Sequence, residues 1–131
     1  MKKLLLAMLL TMVGTSAMAE WQLVDFSNDG INYFENKSIR KNGSEATMWD
    51  LIDYVKPATE AGLTFTSKKS KYVYNCKNES RKILSIALFD GNMGRGKVVY
   101  TYDWAKGEST YSAIAPDTIG ETLMKAACKL N

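Results

Sequence analysis

The sequence predicts an α+β fold, a single antiparallel β-sheet with a C-terminal helix packed on one face and tethered by a disulfide. Three observations lead there. Short apolar or alternating runs recur between Asn-Gly-type turn signals, the pattern of hairpin-linked strands. One segment at the end of the chain has an apolar stripe and a helix-start signature. Cys76 lies at the end of a strand-like run, and Cys128 lies in that terminal segment.

The elements follow in order. Trp21 to Phe26 reads as a first strand, and Asn28-Asp29-Gly30 as the turn into a second strand, Ile31 to Glu35. Lys41-Asn42-Gly43 is another turn signal, leading into a long strand from Ala46 to Val55. Lys56 to Gly62, which contains Pro57, reads as a loop. Leu63 to Ser67 reads as a short strand and Tyr72 to Cys76 as another, with Tyr72, Tyr74 and Cys76 on one face. Lys82 to Phe89 is nearly all apolar, which predicts a central strand covered on both faces. A glycine-rich connection, Gly91 to Gly96, joins it to an antiparallel partner, Lys97 to Trp104. Residues 105–116 lack strand periodicity and read as a loop. Thr118 with Glu121 three residues on forms a capping box, and Ile119, Leu123, Ala126, Ala127 and Leu130 give the following helix its apolar stripe.

The first nineteen residues have the form of a secretory signal peptide. Lys2 and Lys3 are its positive start, Leu4 to Val13 its apolar run, and Ala17-Met18-Ala19 its small-residue cleavage site before Glu20. The run is shorter than the roughly 20 residues a bilayer core requires, and no later segment is apolar enough to be a membrane anchor. No cysteine stands at the cleavage point, so a lipid anchor is not expected. Residues 20–131 are then one exported domain, in the periplasm or at the outer cell surface. It carries 15 basic against 14 acidic residues, because Lys2 and Lys3 leave with the signal. That near-neutral balance excludes a dedicated nucleic-acid binder, which shows a strong basic excess. In an oxidising compartment Cys76 and Cys128 permit one intramolecular disulfide. The alternatives are two free or intermolecular thiols.

Candidate chemistry is sparse. The chain has no His, which removes the commonest general base and metal ligand. Asp50 and Asp53 are the closest carboxylate pair, but positions three apart on a strand face opposite ways. Gly91 to Gly96 lacks the Gly-Lys-Ser/Thr ending of a phosphate loop and precedes a strand. Lys68, Lys69 and Lys71, with Lys77, Arg81 and Lys82 close by, form a basic run. It reads either as a patch for a polyanion or as solvated lysines guarding an edge strand. Trp21, Trp49, Trp104 and seven tyrosines are a large aromatic load, and those left exposed are candidates for protein recognition. No catalytic residue, metal site or cofactor is expected, and no binding residue is assigned.

Several landmarks in order carry a resemblance. They are Trp21, Tyr33-Phe34-Glu35, Ser38-Ile39-Arg40, Gly43, then Trp49, Leu51 and Asp53. Ser67-Lys68-Lys69, Tyr74-Asn75-Cys76 and Arg81 follow, then Met93-Gly94-Arg95-Gly96, Trp104 and Cys128. The set resembles the surface-adhesin protein E family of Gram-negative bacteria. The resemblance implies a helix tethered by a disulfide across the concave face of the sheet, in agreement with the pairing of Cys76 and Cys128. It also implies a non-enzymatic, adhesin-like protein, with host laminin, vitronectin or plasminogen as partners and a homodimer as the assembly. The missing lipidation cysteine departs from the lipid-anchored family type. The alternative is a periplasmic envelope protein acting as an inhibitor or chaperone-like factor.

Overall fold

In the computed structural model, which describes residues 20–104 and 107–129, the chain opens with an antiparallel hairpin of β1 (Trp21–Phe26) and β2 (Gly30–Glu35). The turn falls at Asn28-Asp29-Gly30. Gly30 is required there, because a Cβ would run into the backbone of Asp53 on the adjacent strand. The expected signal peptide, residues 1–19, lies outside the described residues, as does Leu130.

A second hairpin joins β3 (Arg40–Asn42) to β4 (Glu45–Glu60) through Gly43, whose φ of 61° is the left-handed conformation a tight turn needs. From β4 the chain meanders through β5 (Leu63–Asn75), β6 (Ser80–Phe89) and β7 (Val98–Asp103). The strand order is β1-β2-β4-β5-β6-β7, with β3 paired to β4 and the two-residue β8 (Ser112–Ala113) paired to β6. Every pairing is antiparallel. The chain then enters helix α1 (Ile119–Cys128). Thr118 caps it by accepting the Glu121 amide at 3.2 Å, as the capping signature predicts.

The strands are longer than the sequence suggested. Lys56 to Gly62 is not a loop, because β4 continues to Glu60. Pro57 is tolerated because it sits where the β4–β5 register shifts, between Asp53 and Ala58, and no ladder bond is lost. The two short strands expected on either side of the lysines are one 13-residue strand. The lysine segment stays in the ladder, with the Lys69 and Lys71 ammonium groups over neighbouring aromatic rings. Residues 105–116 include β8. β6 lies inside the sheet, as its apolar run predicted. It is not covered on both faces, however, and of its hydrophobic residues only Leu88 is buried.

The register defines the faces, since directly opposed residues share one. Four rows cross the helix side of the sheet. They are Ala46-Tyr74-Arg81, Met48-Tyr72-Ile83, Phe34-Asp50-Ser70-Ile86-Tyr102 and Asn32-Ile52-Lys68-Leu88-Tyr100. α1 packs on the first two. Leu123, Met124, Ala127 and Cys128 form the core with Ala46, Met48 and Tyr74. A helix of 10 residues is about 15 Å long, so the other rows extend beyond it. Among the described residues no helix is long and apolar enough to cross a membrane.

Cys76 and Cys128 form the disulfide, with Cα atoms 5.8 Å apart and a sequence separation of 52. It joins the end of α1 to the loop following β5. Closing a loop of that length contributes roughly 4 kcal/mol in the chain-entropy model. Replacing both cysteines by alanine is therefore expected to lower the melting temperature by more than about 10 °C. An unchanged thermal melt of the double variant would show that the helix holds its place without the bridge.

Candidate functional site

The two carboxylates singled out in the sequence are held on opposite faces. Asp53 turns away from the helix and ties down the glycine-rich connection. Its Oδ1 accepts the Met93 amide at 2.7 Å and the Asn92 side chain at 3.1 Å. The connection is further fixed by Ser67, whose hydroxyl donates to the Gly91 carbonyl at 2.6 Å and accepts the Gly94 amide at 2.9 Å. Its amides thus serve the fold, and no phosphate-loop geometry arises. Asp50 and Asp53 do not meet across a common cleft. Among the described residues no group of three or more His, Cys, Asp or Glu side chains is placed to hold a metal.

The basic run is split in the same way. Lys69 and Lys71 lie on the face away from the helix. The Lys69 ammonium sits 5.5 Å from the Trp21 ring centre and 5.2 Å from that of Phe89, and Lys71 lies 5.9 Å from Trp49. Lys82 lies over Tyr111. Lys68 and Arg81 are on the helix face. No single basic patch forms, and β5 is interior to the sheet, so its lysines do not guard an edge. Alternation along the strand separates residues that the sequence places side by side.

On the helix face the uncovered rows form a cleft at the start of α1. A cavity of about 260 Å³ is lined there by Asn32, Asp50, Lys68, Ser70, Arg81 and Gly120, among others. Asp50 is only 6% exposed. Burial pushes its carboxyl up to about 7, against the pull of Arg81 and, less strongly, Lys68. Arg81 stacks on Tyr72, with its guanidinium carbon 4.2 Å from the ring centre. It also packs under the first turn of α1, because a Cβ on Gly120 would lie 3.4 Å from that same carbon. Tyr74, next to Arg81 in its row, has a fully buried hydroxyl with no hydrogen-bond partner. Burial, and then the Asp50 charge, push the Tyr74 hydroxyl up, while Arg81 opposes them. The sequence reading missed this assembly. One signal was available, a carboxylate at Asp50 within the otherwise apolar alternation Ala46, Met48, Ile52.

The same rows lead from the cleft to the sheet edge. Ser70 continues through Ile86 to Tyr102, and Lys68 through Leu88 to Tyr100. Tyr100 is 40% and Tyr102 42% exposed, and Tyr102 meets Trp104 edge to face at 4.8 Å. Trp21, Trp49 and Trp104 are each half-buried. Thus the large exposed aromatics of β7 lie on an edge strand, beside the open half of the helix face.

The sequence model for the surface-adhesin protein E family matches residues 21–129. Crystal form II of Haemophilus influenzae protein E superposes with a TM-score of 0.57 at 16% identity, covering 86% of this chain and 97% of that one. Protein E from non-typeable Haemophilus influenzae gives a TM-score of 0.58 at 14% identity, over 86% of this chain and 79% of that one. At these identities the structural likeness concerns the fold. Among curated proteins, none matches the chain by sequence.

The buried carboxylate sets a pH dependence. Asp50 ionises near 3.8 in the unfolded chain and near 7 in the folded one, so the native state holds its proton more tightly. Stability from this group is therefore intact below about pH 4, falls as pH rises toward 7, and stays reduced above that. Asp50→Asn is expected to match the parent near pH 4 and exceed it by roughly 2–4 kcal/mol at pH 8. Parallel stability profiles for the two proteins across that range would show that Asp50 is not the source.

Proposed function

The chain belongs to the surface-adhesin protein E family, and from that premise we propose that it is an exported, non-enzymatic protein-binding domain. Residues 1–19 are the cleaved signal peptide and residues 20–131 the working domain. The observation that carries the reading is the β7 edge. Val98–Asp103 contains no Lys and no Pro, the usual means of blunting an edge, and it exposes Val98, Tyr100 and Tyr102. Unpaired backbone groups on such an edge accept an added strand, and the tyrosines supply the contact area at which binding energy concentrates. A non-catalytic role also fits the separation of Asp50 from Asp53. Host laminin, vitronectin and plasminogen are the partners proposed from the family.

A second reading uses the same edge differently. A strand-accepting edge also suits a periplasmic factor that pairs with segments of envelope proteins, as a chaperone-like protein or an inhibitor. Location separates the two readings. Protease added to intact cells removes a surface domain and spares a periplasmic one until the outer membrane is opened.

For the host-binding reading, the exported protein is expected to bind at least one of immobilised laminin, vitronectin or plasminogen at micromolar concentration. A Tyr100→Ala/Tyr102→Ala variant is expected to bind at least about tenfold more weakly, a loss of about 1.4 kcal/mol or more, while its melting temperature moves by only a few degrees. Absence of binding by the parent protein at that concentration removes the host-matrix assignment. Unchanged binding by the double variant removes β7 as the contact.

A further inference from the structure

We propose that the cleft beside the first turn of α1 is a binding pocket for a single carboxylate group. The inference stands on the cleft itself, independently of the partner reading above. Its walls carry polar groups that the fold leaves unused. Among the described residues, Asp50 makes no hydrogen bond and no close ion pair, although it is 94% buried by its 6% exposure. Ser70 is 3% exposed and lines the same cavity, with its hydroxyl likewise unpaired. Lys68 lines the cavity and acts on Asp50 through its charge, without a close ion pair. Among the described residues the Tyr74 hydroxyl is the one side-chain atom sealed without a partner, so the polar atoms of Asp50 and Ser70 open onto the cavity.

The donors outnumber the acceptors. Lys68 and Arg81 supply two positive charges, Ser70 a hydroxyl and Asn32 an amide, which in the free protein donates weakly to Ser27 at 3.3 Å. α1 adds its own end. Thr118 caps the Glu121 amide, leaving the first two amides, Ile119 and Gly120, with no partner inside the helix. Gly120 carries no side chain to block the approach and lines the cavity. The positive end of the helix and the two cations favour an anion. Asp50 restricts which one. Lys68 and Arg81 sum to +2 while Asp50 is protonated and to +1 once it is ionised, so the pocket carries enough charge for a monoanion in either state and holds it best in the first. A protonated Asp50 would donate to one oxygen of the guest, and an ionised Asp50 would repel it.

The groups that face Asp50 make this coupling specific. From β5 they are Lys68, Tyr72 and Tyr74, and from β6 Arg81. β2 contributes the neutral Asn32, and α1 contributes Ile119, Gly120 and Leu123, which carry no charge. Tyr72 and Tyr74 stay neutral, being pushed up from 10.0. Burial raises the Asp50 carboxyl to about 7, between the two pH values of the test below.

The test is an amide-resonance titration of the exported protein with two probes, propionate and the blocked peptide acetyl-Gly-Glu-Gly-amide, with inorganic phosphate as the comparison. Propionate is expected to shift the Ser70 and Gly120 amides at about pH 6 and to bind at least about tenfold more weakly at pH 8. Lys68→Gln is expected to weaken binding about tenfold or more at pH 6. Asp50→Asn is expected to abolish the pH dependence and to bind at pH 8 at least as tightly as the parent at pH 6. Peptide binding at least as tight as propionate assigns the pocket to an acidic side chain of a protein partner. Binding of propionate alone assigns it to a small free acid. No shift with either probe overturns the proposal, and so does phosphate binding of equal strength or a Lys68→Gln variant that binds like the parent.

Discussion

The placement of α1 governs the rest of this molecule. A sheet of six strands in a row offers a helix face much wider than one short helix can cover. Burial of Leu123, Met124 and Ala127 against Ala46, Met48 and Tyr74 favours contact, but an apolar stripe sliding over an apolar face fixes position only loosely. The Cys76–Cys128 bridge removes that freedom at the end of the helix, and Lys41 adds a hydrogen bond to the Cys128 carbonyl at 3.2 Å. Held there, the helix seals the first two rows, reaches Phe34 at the end of the third, and leaves the rest of the face open.

The boundary between sealed and open rows is where the polar groups gather. Asp50 lies in the row next to the helix, close enough to be buried by it and too far along to join the apolar core. A carboxylate in that position carries a desolvation penalty that Arg81 and Lys68 only partly offset. Arg81 in turn is fixed by Tyr72 beneath it and by the start of the helix above. Removing the tether would therefore disturb more than the hydrophobic core. It would release the wall against which the charged groups of the cleft are set.

The hairpins at Asn28-Asp29-Gly30 and Gly43, the helix start at Thr118 and the pairing of the cysteines were legible in the sequence, because each rests on local chemistry or on a count of two. The extent of β4 and β5 was not. Pro57 and the lysines of residues 68–71 look like breakers in isolation. Inside the sheet the proline meets a register shift, and the lysine ammonium groups find the aromatic rings of Trp21, Phe89 and Trp49. Those partners come from distant parts of the chain, so no window of sequence contains them. The site was less legible still. Asp50, Ser70 and Arg81 come from three strands and meet only through register, and the break in alternation at Asp50 was the one local trace of it.

The two edges of the sheet show how the fold separates a protected border from an available one. β1 shifts register between Leu23 and Asp25, and Glu20 just before it pairs with Lys37 at 3.0 Å. A bulge and charges of this kind turn an edge away from incoming strands. β7 shifts register only at its start, opposite Leu88 and Phe89, and then runs regularly through Tyr100 and Tyr102 to Asp103. Its tyrosines share rows with Lys68 and Ser70, so a chain added along β7 would lie at the mouth of the cleft. Strand spacing in a sheet is about 4.8 Å, which places β7 roughly 10 Å from β5, within reach of one extended side chain folded back over Ile86 and Leu88. Edge and cleft are therefore parts of one surface, made available by the shortness of the helix that covers the other half.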